Sequence, residues 1–505
     1  MRKFLFFTLL SLTAVLPGAE IPVLEWVNPG KGGRFFERDG VRCYTLTVSE
    51  TEKAGQHLAS AAIDLTPWKN RPMVFSIRVS GENVSEPPQE WNGVKFMIYY
   101  KTADGRVHWR GTNRQRGTFG VCTVSHLLTI PEDAVDGRVM VGLQESSGTV
   151  TFELDSFMVA PLFDAGKAAA NRYECPYTPR VAERPAGRGV MSPKRFSPGD
   201  MEQLEKWNVN LVRFQISRNW RKFQTDRDLQ EYDRWLEEML DHLEEVLAEA
   251  EKRRIAVILD LHQPPGGRYP DNNMAMFYEK KYADHFVAVW ERIARRFRGN
   301  PAVWGFDLIN EPLQTRPAAY DYWSLQKRAA EAIRAIDPDV PIIFSANEAS
   351  APAAFRYLEP LEMKDVVYQV HLYLPNVFTH QYVFSDPPGK GPKVGYPGMI
   401  GDVWWNGERL REELRPVREF QLRHNARIVV GEFSAVIWAP GAGIYLKDCI
   451  SLFEEFGWNW CYHSFREWQG WSLEHEGEDG GSIRPSADND RKRVLLDAFR
   501  KNRSN

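Results

Sequence analysis

The 505-residue chain has little cysteine, no charge excess of either sign and no long apolar run, and each shortage closes off a class of protein. Its five cysteines (Cys43, Cys122, Cys175, Cys449, Cys461) are scattered and none forms a CxxC pair, so neither a zinc ribbon nor a thioredoxin-like motif is supported. A Cys43–Cys122 bridge is open in an oxidising compartment, but an odd count leaves a thiol over. Buried free cysteines acting as small hydrophobes are the simpler expectation. With 67 acidic and 64 basic side chains the net charge is −3, which argues against a nucleic-acid binder with a broad basic surface. The apolar stretch at the N-terminus is shorter than the ~20 residues of a membrane span, and no later stretch qualifies. There is no G-x-S-x-G elbow and no G-x-x-x-x-G-K-[ST] loop, which removes the serine-hydrolase and P-loop readings.

What is present is a packed, aromatic-rich chain. Hydrophobic residues make up 43% and charged residues 26%, and the length allows two to four domains, or fewer if one is a large barrel. The 17 tryptophans exceed what one hydrophobic core usually needs, which places some of them at a ligand surface. Residues 1–19 read as a signal peptide: Arg2 and Lys3, then a mostly apolar run from Phe4 to Val15, then the small residues after Pro17. Export to the periplasm or the medium is therefore expected.

Residues 20–163 read as an all-β, jelly-roll-like sandwich. YTLTV, MVFSIRV, VKFMIYY, GRVMVGL and TVTFELDSFMV are short runs rich in β-branched and aromatic residues, separated by turn signals. Residues 164–187, with an alanine run and Pro176, Pro179 and Pro185, read as a linker. Over 188–505 apolar strands alternate with helices of 3.6 period. Strands are expected near 189–191, 210–214, 256–261, 303–309, 341–345, 366–372, 427–431 and 460–464, and eight of them fit a (β/α)8 TIM barrel better than an open sheet. The longest helix is expected over 226–253, with a capping box formed by Thr225 and Asp228. A second carries Tyr282, Phe286, Val289, Trp290, Ile293 and Phe297 and stops at Gly299. Trp235 and Trp290, on helix stripes, are expected in the core.

Reactive groups of such a barrel sit at the C-terminal ends of its strands. Strand two ends with Arg213, strand three with His262, strand four with Asn310 and Glu311, strand six with His371 and Tyr373, and strand seven with Glu432. Two carboxylates on opposite sides of one mouth suit glycoside hydrolysis, which needs one group to protonate the leaving oxygen and one to attack or stabilise the anomeric carbon. Asp260 and His262 form a D-x-H pair, but a metal-dependent barrel hydrolase needs further His and Asp ligands that strand one lacks, so no metal and no cofactor is expected.

The segments RGVM, NLVRF, LDLHQPPGG, FDLINEP, VHLY and GEFS, in that order, resemble the cellulase-like glycoside hydrolase family 5 over about 188–500. The resemblance implies a retaining, double-displacement enzyme with Glu311 as acid/base and Glu432 as nucleophile. It further implies that Arg213, His262, Asn310, His371 and Tyr373 line the substrate site. One departure stands out. The family usually ends strand eight with a tryptophan under the attacked sugar, whereas WNWCYHSFREW offers His463 there and Trp468 five residues later, so both are taken as substrate-binding candidates.

Tyr269, Trp404, Trp405, Trp438, Trp468 and Trp471 are candidate sugar platforms, several of them in or near an unusually long loop, 375–406. In the sandwich, VGLQESSGTVTFELDSFMVA loosely resembles carbohydrate-binding modules, and Trp91, Tyr99, Tyr100 and Trp109 are its candidate sugar contacts or packing residues. The expected activity is an endo-β-1,4-glucanase acting on a polysaccharide or oligosaccharide, as a monomer. β-Mannanase and xyloglucanase are the neighbouring possibilities, and a non-catalytic sugar-binding protein is the alternative of another class.

Overall fold

The computed structural model describes residues 20–88, 92–112, 115–162, 173–219 and 222–503. Residues 1–19, read as a signal peptide, Trp91, and residues 163–172 of the stretch read as a linker lie outside the described residues. The chain divides into two compact units, an N-terminal one and one that holds most of the residues from Asn171 on.

The first unit is two five-stranded antiparallel sheets. One has the order β1 (Trp26–Val27), β4 (Gln56–Ala62), β9 (Val135–Gln144), β6 (Gly93–Lys101), β7 (Val107–Thr112). The other has the order β2 (Gly33–Arg38), β3 (Val41–Val48), β10 (Gly148–Pro161), β5 (Pro72–Val84), β8 (Gly117–Thr129). Alternation builds the core: along β3, Tyr44, Leu46 and Val48 are buried while Thr47 is exposed. They meet Ile77 and Val79 of β5, Phe96 and Ile98 of β6 and Val141 of β9 in a single apolar cluster. Cys43 and Cys122 sit on β3 and β8, with β10 and β5 between them in the same sheet, and all five cysteines are free.

The second unit holds a closed parallel barrel of eight strands: β11 (Arg188–Met191), β12 (Leu211–Gln215), β13 (Ala256–Asp260), β14 (Val303–Asp307), β15 (Ile342–Ser345), β16 (Val366–Leu372), β19 (Arg427–Phe433) and β20 (Asn459–Tyr462). A hairpin, β17 (Gly398–Ile400) with β18 (Val403–Trp405), lies in the long connection after β16. Among the described residues six helices of eleven residues or more accompany the strands, the longest being Leu229–Lys252. Its N-cap is Asp228, whose side chain accepts from the amides of Gln230 and Glu231, so the helix starts three residues later than expected and Thr225 instead bonds Asp226. Trp290 is buried as expected, but Trp235 is only half-buried, under the Arg218 guanidinium at 4.4 Å.

The last part of the segment read as a linker is docked on the barrel unit. The Cys175 amide donates to the His424 carbonyl, the Tyr177 hydroxyl to the Val366 carbonyl, and Thr178 to the Asp365 carboxylate. Proline content in this stretch marks a fixed, irregular path.

Candidate active site

Period-two alternation stacks the barrel interior in layers. Leu211, Ile258, Trp304, Ile343, Val367, Val429 and Cys461 form an apolar floor. Two residues further along β12, β13, β15 and β16 the same faces carry Arg213, Asp260, Ser345 and Gln369, and β14 adds Asp307, all fully buried. Arg213 organises this polar layer. Its Nε donates to Asp307 Oδ2 at 2.8 Å, its Nη1 to Glu432 Oε1 at 2.8 Å and its Nη2 to Asn310 Oδ1 at 3.0 Å, with Asp260 Oδ2 at 3.1 Å. Burial disfavours its charge, but Asp260, Asp307 and Glu432 more than offset this and hold the guanidinium protonated. Burial and the neighbouring Asp260 push Asp307 up to about 7 against the pull of Arg213.

Because Arg213 occupies the Asn310 oxygen, the amide nitrogen of Asn310 must face His262 Nε2, at 3.1 Å. That nitrogen therefore accepts, and Nδ1 carries the proton that is donated to Asp260 Oδ2 at 2.8 Å. Asp260 draws the His262 pKa up against burial, while the Asn310 amide selects the neutral ring. The D-x-H pair seen in the sequence is thus a support for Asn310.

Glu432, near the end of β19, is 5% exposed and takes a second bond from the Tyr373 hydroxyl, to Oε2 at 2.8 Å. Burial would raise its pKa, but His371, His463 and Arg213 overcome it and hold the carboxyl well below the usual range. The glycine before it is a steric requirement: a Cβ at Gly431 would lie 2.8 Å from His371 Nε2 and closer still to Gln369 Oε1.

Glu311 follows β14 with φ of 48°, a left-handed conformation that costs a side-chain-bearing residue energy. Arg268 secures the bend by donating Nη2 to the carbonyls of Glu311 at 2.8 Å and Asn310 at 3.3 Å. The Glu311 side chain, a quarter exposed, bonds His371 Nδ1 at 3.0 Å, and that nitrogen lies 3.8 Å from Glu432 Oε2. One oxygen of each glutamate and one nitrogen of His371 all fall within 4.8 Å of one another, the one trio among the described residues close enough to share a cation.

The strand-end residues named from the sequence thus meet in one network: Arg213, His262, Asn310, Glu311, His371, Tyr373 and Glu432. His463 joins it through Nδ1, 2.6 Å from the Tyr373 hydroxyl. Trp468 stands further back, its ring against Trp438 and Trp471. It is Trp471 that packs on Tyr373, His380 and His463. Of the other platform candidates Trp405, Trp438 and Trp471 are buried, Tyr269 bonds Glu279, and Trp404 is the exposed one at 56%. Sequence reasoning missed Asp307, Arg268, His380 and Glu467, and it offered Trp471 only as a sugar platform, not as the ring that packs on Tyr373 and His463. The acid in FDLINEP, the last residue of β14, was the available signal for Asp307.

A parallel eightfold barrel with two close carboxylates at its strand ends defines a class, the barrel glycoside hydrolases. Residues 192–467, more than half of the chain, match the model of the cellulase family, glycosyl hydrolase family 5, and the chain belongs to that family of retaining glycoside hydrolases. Among curated relatives, Endoglucanase C of Acetivibrio thermocellus is 26% identical over 281 residues, spanning 51% of this chain and 80% of that protein. A Beta-xylosidase of Phanerodontia chrysosporium is 27% identical over 253 residues, 48% of each. A solved crystal structure of a glycoside hydrolase aligns with a TM-score of 0.49 and 24% identity, covering 63% of this chain and 99% of that one.

Proposed function

We propose that the protein is an exported endo-β-1,4-glucanase in which Glu432 is the nucleophile and Glu311 the acid/base. The observation that carries direct attack is the shared approach of the two carboxylates to His371, with oxygens within 4.8 Å, and the roles are divided by Glu432 being anchored through both oxygens while Glu311 is bonded to His371 alone. Inverting pairs stand ~6.5–9.5 Å apart to admit a water, whereas a close pair suits direct attack. In the first step Glu432 attacks the anomeric carbon while Glu311 gives its proton to the leaving oxygen. In the second Glu311 takes a proton from water, which displaces Glu432 and restores the original configuration.

Around this pair, Arg213 and Tyr373 hold Glu432 as an anion, and Asn310, supported by His262, offers its remaining N–H to the sugar hydroxyl beside the reacting carbon. His371 sits between the two acids, and His463 and Trp468 bound the sugar site on the strand-eight side. The near-neutral surface suits an uncharged polysaccharide. On the sandwich, half-exposed Trp109 packs on Tyr99 of the neighbouring strand at 4.7 Å, which supports an auxiliary carbohydrate-binding role; Tyr100 is buried and belongs to the core.

Reducing-sugar release from carboxymethylcellulose, mannan, xyloglucan and mixed-linkage glucan tests the substrate, with the cellulose derivative and mixed-linkage glucan expected to lead. No turnover on any of them, together with tight oligosaccharide binding, would favour a binding protein. For the roles, Glu432→Ala with azide and an aryl β-cellobioside should yield the α-glycosyl azide. Absence of rescue, or a β product, would reassign the nucleophile.

A further inference from the structure

Where the family resemblance called for an aromatic floor, the molecule carries a charged side-chain pair. His463 Nε2 lies 2.7 Å from Glu467 Oε2, and the two side chains are only 13% and 18% exposed. Resting on the assignment of Glu432 as nucleophile, we propose that His463 and Glu467 form a buried ion pair that fixes the Tyr373 hydroxyl as a donor to Glu432 and sets the alkaline limit of activity.

The proton count follows from the contacts. Tyr373 has one hydroxyl proton, and the Glu432 carboxylate, which can only accept, takes it at 2.8 Å. The Tyr373 oxygen must then accept from its other neighbour, His463 Nδ1, at 2.6 Å. His463 Nε2 faces a second carboxylate, so it too carries a proton, and the ring is an imidazolium donating at both ends. A neutral ring with its proton on Nε2 would present a lone pair to Tyr373, draw the hydroxyl proton toward itself and leave Glu432 with one donor fewer.

The charges around the ring favour the cation. Burial opposes it, but Glu467 on its own loop, Glu432 on β19 and Glu311 after β14 together raise its pKa. His463 in turn, against burial, holds Glu467 below the usual carboxylate range, with a smaller contribution from His262 after β13. His371 at the end of β16 faces the two glutamates. His380, beyond β16, faces Tyr373 edge-on, and burial and the His463 charge hold it down to about 4, so it stays neutral. Tyr373 itself is kept far above its ordinary range, first by burial, and remains a phenol. The pair is fully charged between the lowered value of Glu467 and the raised value of His463. As pH rises through the latter, the ring loses its proton and Tyr373 turns away from Glu432. Both residues are positioning residues, acting on Glu432 through Tyr373.

Histidine-selective 15N labelling of the full-length chain reads the ring directly. One signal, lost in His463→Gln, is expected to report two protonated ring nitrogens at neutral pH and a neutral ring in Glu467→Gln. In the same Glu467→Gln protein, the alkaline limb of kcat/KM on an aryl β-cellobioside should move at least one pH unit toward acid. kcat should fall about tenfold while KM changes little. In a Tyr373→Phe background Glu467→Gln should add almost nothing. A neutral wild-type ring, an unmoved alkaline limb or additive losses would each overturn the proposal. Failure of azide to rescue Glu432→Ala strikes the nucleophile assignment alone, since the ring signal does not depend on turnover.

Discussion

The two walls of the barrel mouth hold their glutamates in opposite ways. On the β19 side Glu432 is buried and anchored through both oxygens, by the Arg213 guanidinium and the Tyr373 hydroxyl. On the β14 side Glu311 has one side-chain partner, His371, and an open face, and it is the main chain that is anchored, by Arg268. A group meant to stay charged and aimed at one atom needs bonds to its own oxygens. A group meant to give and take a proton, and to touch a changing leaving group, needs a fixed base and a free tip.

The sharpest way to break this contrast is to remove each tip. Glu432→Ala should lower kcat by at least ~10⁴-fold on every substrate, whereas Glu311→Ala should cost ~10²–10⁴-fold on cello-oligosaccharides. The Glu311 loss should shrink with an aryl glycoside whose leaving group needs no proton. Equal losses that ignore the leaving group would erase the distinction.

Removing the anchors comes next. Arg213→Met leaves Asp260, Asp307 and Glu432 buried without their shared cation, and thermal unfolding should report a loss of ~3–5 kcal/mol along with activity. Arg268→Met uncovers two carbonyls and should cost ~1–3 kcal/mol. The ranking, Arg213 above Arg268, is the quantity at stake.

The same asymmetry has a pH signature. The Glu432 pKa is lowered in the folded protein, so its ionisation contributes stability that is fully present above the unfolded value, ~4.3, and is lost as pH falls through the folded value. Between about pH 6 and pH 3 the midpoint of thermal unfolding of the wild type should therefore fall more steeply than that of Glu432→Gln. Parallel curves would mean that the anchors do not favour the charged form.

The barrel and its strand-end groups were legible because apolar strands ending in single polar residues leave a strong local signal: NLVRF, FDLINEP and GEFS each show it. The second ring of contacts was not. Asp307 reads as part of its strand, and Arg268 and Glu467 sit in loops where no period fixes direction. Which tryptophan packs on Tyr373 and His463, Trp471 and not Trp468, was not legible because the path after β20 is irregular. In the sandwich, β2 and β4 escaped notice because GRFFER has no buried position and QHLASAA buries three residues in a row, so neither alternates cleanly. The docked stretch 173–187 reads as a linker in the sequence because proline content speaks to backbone stiffness and says nothing about what the side chains touch.

The smallest effect belongs to the rim. Trp404 and Met399 are cross-strand partners in the β17–β18 hairpin and are both more than half exposed, while the next residue, Trp405, points the other way and lies under Arg409. An exposed Trp–Met pair is a candidate platform for the apolar face of a sugar distant from the cut bond. Trp404→Ala should therefore raise KM for long glucans by roughly fivefold, about 1 kcal/mol, with kcat on an aryl cellobioside unchanged and the thermal midpoint unmoved. A shifted midpoint would return Trp404 to packing. An equal loss on the short substrate would put it beside the two glutamates, and the division between a rigid centre and a substrate-selecting rim would then need redrawing.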